Sequence, residues 1–164
     1  VRMSMTGTYQ YSPGKLARSL PDFNVFHRYA ANFPWRSHAA WFITQMIRWG
    51  QVDSSLDITA AAELVYRPDI YRRAASLLDI PAPSLDYKPE GTHTKRWSLP
   101  EGSSSITLGA DLFIDGAVFD PADPVTYLES FPINNMSVML DELRVKNPTQ
   151  SAAALTAYAS EEKI

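Results

Sequence analysis

Twelve prolines are spread through the 164 residues of this chain. Proline lacks an amide hydrogen and fixes φ, so it interrupts helices and central strands. The chain is therefore expected to fold as short elements joined by frequent loops. Its length suits one domain, and no internal repeat at a solenoid-like period is visible. Within these limits the residues predict a soluble α/β or mainly helical module.

Composition narrows the classes further. Hydrophobic residues make up 45 % and charged residues 20 %, the balance of a globular chain rather than a disordered one. A formal net charge of −3 argues against a nucleic-acid partner. No apolar run approaches the ~18 residues of a transmembrane helix. Without cysteine there is neither disulfide nor thiol chemistry, and histidines alone do not build a familiar zinc motif. VRMSMTGTYQYSPGK lacks the apolar core of a signal peptide. With valine at position 1, the chain is expected to follow a processed segment or to be cut from a longer one.

Local signals place the elements. YSPGKLARSLPDF has room for one helical turn between Pro13 and Pro21, and 24–30 reads as a brief strand or extended segment. The best-marked helix spans 37–49. Pro34 disfavours helix at Phe33, Ser37 suits the N-cap, and Gly50 suits a left-handed C-cap. Ala39, Phe42, Ile43, Met46 and Ile47 form one helical stripe. Asp57 caps a helix from 58 to 66, and Pro68 opens a second, to 78, with Leu77 and Leu78 inward and Arg72 and Arg73 towards water. Residues 84–105 read as loop. Asp115-Gly116 suggests a hairpin within 105–119, and Asp123-Pro124 starts a short helix. SVMLDELRV fits helix or strand, and the alanine-rich 149–164 fits a terminal helix.

Candidate chemistry concentrates before the 37–49 helix. Trp35, Arg36 and His38 lead into a helix N-terminus, where free N–H groups and the dipole favour an anion. Arg36 offers a planar fork for an oxyanion and His38 a further donor. The competing reading is a capped helix with Arg36 in solvent and His38 in its first turn. Trp41, Gln45 and Arg48 mark a second face of that helix, either a site wall or a packed surface. Asp111, Asp115, Asp120 and Asp123 lack calcium-loop spacing, turn and cap duties explain Asp115 and Asp123, and no metal is expected. THTKRW, 92–97, reads as a loop. Neither a catalytic motif nor a cofactor motif is present, and the chain is expected not to be an enzyme.

Three ordered motifs add a resemblance. DFNVFHRYAANFPWRSHAAWFITQMIRWGQ (22–51), VYRPDIYRRAASLLDIP (65–81) and DLFIDGAVFDPADPVTYLESFPI (111–133) resemble the C-terminal portion of the nitrate/bicarbonate-binding proteins of ABC transporters. The resemblance covers about two thirds of the chain. It implies part of a two-lobed, periplasmic-binding-protein-like (type II) fold that closes around a small oxyanion and delivers it to permease subunits in the membrane. Some relatives act instead as cytoplasmic nitrate/nitrite sensors, and others are fused behind a transporter ATPase. Family members are more than twice as long, so an N-terminal lobe is expected to be missing. Residues 1–133 would then be the solute-binding portion. Residues 134–164 form an extension with no counterpart in the family tail, suited to docking on the body or to self-association. The protein is expected to be periplasmic on this reading, or cytoplasmic if it is a sensor.

Overall fold

The computed structural model describes residues 5–21, 23–99, 105–133 and 138–151. Among them the order is β1 (Thr8–Tyr9), β2 (Arg18–Ser19), a 3-10 turn (Arg28–Ala30), α1 (Arg36–Arg48), α2 (Ile58–Val65), α3 (Pro68–Leu77), β3 (Trp97–Leu99), β4 (Ile106–Leu108), α4 (Pro124–Glu129) and α5 (Leu140–Lys146). The strands form two antiparallel pairs, β1 with β2 and β3 with β4. The domain is thus mainly helical, with only small sheets.

Two clusters of buried side chains organise the packing. In the first, α1, α2, α4 and α5 meet through Ile47, Ile58, Ala62, Val125, Leu128 and Leu143, with Phe119 between them. In the second, Ala30, Phe33 and Trp35 pack on Leu99, Ile106 and Leu108 of the β3–β4 pair. Helix α1 links them, because its entrance lies in the second cluster and its body in the first. Asn147 fastens α5 to the start of α2. Its Oδ1 accepts from Ile58 N at 2.7 Å, and its Nδ2 donates to Leu56 O at 3.0 Å.

Several local expectations match the structure. Asp57 caps α2 by accepting from Ala60 N at 2.9 Å, Pro68 opens α3, and Asp123 caps α4 by accepting from Thr126 N. Gly50 has φ of 66°, and its amide donates to Ile47 O at 2.9 Å. SVMLDELRV resolves as helix, over Leu140–Lys146.

Other expectations are corrected. Helix α1 begins at Arg36 with Trp35 as an N-cap that makes no side-chain cap bond. Ser37 lies inside the first turn, its hydroxyl committed to Glu90. Of the expected stripe, Ala39 and Ile47 are buried and Ile43 packs against the core, but the buried face also takes in Ala40 and Thr44, whereas Phe42 is 54 % exposed and Met46 40 %. The small Ala40 and the self-satisfied Thr44, whose hydroxyl donates to Ala40 O at 2.8 Å, face inward where α2 and α4 pack on α1. Helix α3 is likewise turned from the expected face. Leu77 and Leu78 are exposed, and Arg72 reaches inward to donate to Pro83 O at 2.6 Å and Ser84 O at 2.9 Å.

Residues 28–30 form a turn with Tyr29 and Ala30 at positive φ rather than a strand, which lets Ala30 reach the second cluster. Pro13-Gly14 makes a reverse turn between β1 and β2 instead of starting a helix. Lys15 N donates to Ser12 O at 3.2 Å, and Gly14 has φ of 79°, the conformation a type II turn asks of its third residue. Asp115-Gly116 does turn the chain, but β4 pairs with β3, and Phe119 bridges to Glu90. Residues 152–164 of the expected terminal helix lie outside the described residues.

Candidate functional site

The segment Asp86–Glu90 runs against the start of α1. Its charged residues alternate with Tyr87 and Pro89, the period of an extended chain, so Asp86, Lys88 and Glu90 share one side. Arg36 N donates to Asp86 O at 2.9 Å, which occupies one of the free amides of the helix end. The Asp86 carboxylate bridges two cations, Arg36 Nη1 at 2.8 Å and Arg72 Nη2 at 2.5 Å. Glu63 adds a longer contact to Arg36, at 4.0 Å. Tyr87 lies beside this group, with its hydroxyl 3.4 Å from Glu63. Burial pushes the Tyr87 phenol well up, and the negative charge of Glu63 adds to the effect.

A second network lies one helical step further on. Glu90 Oε1 accepts from Ser37 Oγ at 2.7 Å and lies 3.4 Å from His38 Nε2. Glu90 Oε2 takes the Lys88 ammonium. Lys88 also lies 3.7 Å from Asp111 and 5.5 Å from the centre of the Trp35 ring. Asp111 in turn accepts from His93 N at 2.7 Å and contacts His93 Nδ1 at 3.0 Å. The His93 ring stacks on Trp97, with centroids 3.8 Å apart and planes 5° from parallel. Burial pushes the Glu90 carboxyl up. The hydrogen bond from His38 and the charges of His38 and Lys88 outweigh this and hold it below the usual carboxylate range.

Gly91 makes this crossing possible. It has φ of 88°, and a Cβ there would lie 2.5 Å from Ala117 O and 2.9 Å from the Phe113 ring. Only a residue without a side chain lets the 90–93 backbone pass so close to 113–117.

The three residues singled out in the sequence have different surroundings. Trp35 is 1 % exposed and Arg36 4 %; the first fills the second cluster and the second is committed to Asp86. The His38 side chain is 40 % exposed. It lines a cavity of about 300 Å³ with Trp41, Phe42, Phe113 and the carboxylates of Glu90 and Asp111. Asp86, Lys88 and Glu90 escaped the sequence reading; Asp111 enters it only as a candidate metal ligand and His93 only as part of the 92–97 loop. The alternation of charge over 86–90 was the one local signal of the first three, and it sits in a stretch that reads as loop.

No family model matches the chain. It is 32 % identical over 133 residues to the nitrate/nitrite binding protein NrtA of Synechocystis sp., a match covering 79 % of this chain and 26 % of that protein. It is 33 % identical over 117 residues to the bicarbonate-binding protein CmpA of Synechococcus elongatus, covering 69 % and 22 %. The crystal structure of the periplasmic nitrate-binding protein NrtA from Synechocystis PCC 6803 superposes with a TM-score of 0.52 at 28 % identity, over 79 % of this chain and 30 % of that one. The chain belongs to the nitrate/bicarbonate-binding protein family. It spans about a quarter of the length of the curated relatives it matches. The fold described above is thus consistent with part of the binding-protein fold seen in NrtA.

Proposed function

We propose that this chain is part of the solute-binding component of an ABC-type uptake system for a small oxyanion, nitrate, nitrite or bicarbonate. Kinship with nitrate- and bicarbonate-binding proteins, over most of the chain, carries this reading. The proposed mechanism is hydrogen bonding and charge complementarity in a cleft between two lobes of a type II fold, without covalent chemistry. In this reading the chain is a C-terminal fragment, 1–133 is the module proper, and 134–164 is an extension. The proposed location is the periplasm, and the proposed partners are permease subunits and an N-terminal lobe.

Within the chain, the residues proposed nearest the anion are Trp35, Arg36 and His38. His38 would make the contact from the rim of its cavity, while Trp35 and Arg36 hold the helix start in place. Two committed carboxylates, Glu90 and Asp111, share that cavity. They disfavour an anion there unless further cationic or amide donors come from outside the chain. Residues 1–164 alone are therefore expected to bind nitrate weakly or not at all.

Calorimetric titration of nitrate, nitrite and bicarbonate into the full-length protein that contains this chain tests the reading. Saturable binding of at least one anion, weakened by His38→Ala, is the expected result. Absence of binding by all three anions overturns the function, and binding unchanged by His38→Ala removes the assignment of the rim.

A further inference from the structure

The outward face of α1 presents a feature that the anion reading does not use. Trp41, Gln45 and Arg48 line one side of a groove of about 380 Å³. Phe113, Ile114, Asp115, Tyr127 and Phe131 complete it. Its floor is aromatic and held in place. Trp41 Nε1 donates to Tyr127 Oη at 3.0 Å, Trp41 and Phe113 stack with centroids 5.4 Å apart, and Tyr127 meets Phe131 edge-on at 4.9 Å.

Arg48 stands over this floor. Its guanidinium carbon lies 4.2 Å from the Phe131 ring centre and 5.3 Å from that of Trp49. Among the described residues its side-chain polar contact is a long one, Nη1 to Gln45 Oε1 at 3.4 Å. Arg36, Arg67, Arg72 and Arg144 each have a carboxylate within 4.0 Å. Among the described residues Arg48 has none. Asp115, the one acid of the groove, turns its carboxylate to Ala117 N at 3.0 Å.

We propose that this groove docks a segment of a partner protein carrying a carboxylate side chain next to an aromatic or aliphatic one. The stacked guanidinium supplies a flat, preoriented fork for the carboxylate. The aromatic floor takes the apolar neighbour. Charge complementarity picks out an acidic group, and the volume rules out a bare inorganic ion as sufficient filling. A protein fits better than a small molecule because the apolar surface continues well past the groove. Ile114 at its rim is fully exposed, and Trp49, Phe42 and Met46 extend it along α1. Tryptophan, tyrosine and arginine together are also the residues that dominate protein–protein binding energy.

The test is a titration of the ¹⁵N-labelled chain with the peptide acetyl-Phe-Glu-Phe-Glu-amide, followed by NMR. The Trp41 Nε1–H and Arg48 Nε–H signals are expected to shift saturably. Binding should weaken by about tenfold or more in Arg48→Gln and for the Phe-Gln-Phe-Gln peptide, with Arg48→Lys intermediate. Sodium nitrate should leave both signals in place. Four results overturn the proposal: unmoved signals up to the solubility of the peptide, equal shifts with the glutamine peptide, the same shifts with nitrate alone, or peptide binding indifferent to both Arg48 variants. Three others reassign the groove and so also overturn it. One is a dimer in light scattering that Arg48→Gln abolishes. Another is a Trp41 signal that moves, without peptide, when the chain is shortened to Ser151. The third is a full-length protein containing this chain that fails to bind the peptide, its remaining portion covering the groove.

Discussion

Ser37 Oγ donates to Glu90 Oε1 at 2.7 Å across 53 residues of chain. This bond joins the first turn of α1 to the segment that runs past it, and both groups are buried. Removing the hydroxyl leaves a buried carboxylate short of a donor. Ser37→Ala is therefore expected to lower stability by about 1.5–3 kcal/mol in urea denaturation. A change near zero would mean that Lys88 and His38 satisfy Glu90 unaided.

The same carboxylate predicts a pH dependence. Its folded pKa lies below the unfolded value, so its contribution is present above the unfolded value of ~4.3 and is lost as pH falls through the folded one. The native chain should lose stability more steeply than Glu90→Gln between about pH 5 and pH 3. Parallel stability curves for the two proteins would contradict this.

Asp86 sits between two guanidinium groups and is 2 % exposed. Asp86→Ala strands Arg36 in the interior, and a loss of about 3–5 kcal/mol is expected. Asp69→Ala breaks the more exposed Arg67–Asp69 pair and should cost less than about 1 kcal/mol. Comparable losses in the two variants, read by thermal melting, would show that the Asp86 bridge is not a buried ion pair in solution.

Gly91 and Gly14 both have positive φ, but only Gly91 is crowded. Alanine at Gly14 meets nothing within 4 Å and should cost only the backbone term of about 1–2 kcal/mol. Gly91→Ala adds a clash with Ala117 O, so its loss should exceed that of Gly14→Ala by about 1 kcal/mol or more. Equal losses in urea denaturation would mean that the 113–117 backbone gives way.

The orientation of α1 can be read from two alanine substitutions. Ile47 is fully buried, and Ile47→Ala should cost about 2–5 kcal/mol. Phe42 points largely to solvent, and Phe42→Ala should cost less than about 1 kcal/mol. The reverse order would mean that Phe42, and not Ile47, is the anchor of the buried face.

Much of the local architecture was legible. Asp57, Pro68, Asp123-Pro124 and Gly50 each act on backbone groups within about four residues, so their effect travels with the sequence wherever the chain goes. The candidate site was legible only in part. Trp35, Arg36 and His38 drew notice because a helix start was visible. Their partners did not, because Asp86, Lys88 and Glu90 lie in a stretch with no periodic element around them.

The sequence by itself determined the starts of α2, α3 and α4, that the elements are short, and which family the chain resembles. Only the tertiary structure decided how the buried face of α1 is turned. The apolar pattern found Ala39, Ile43 and Ile47 but also offered Phe42 and Met46, whereas α2 and α4 approach over Ala40 and Thr44. It also decided that Arg36 and Arg72 share one carboxylate and that β4 pairs with β3. The physical reason is range. A cap or a turn is settled by hydrogen bonds between near neighbours. A buried ion pair or a packed face depends on what the chain brings back from dozens of residues away, and no local signal carries that information.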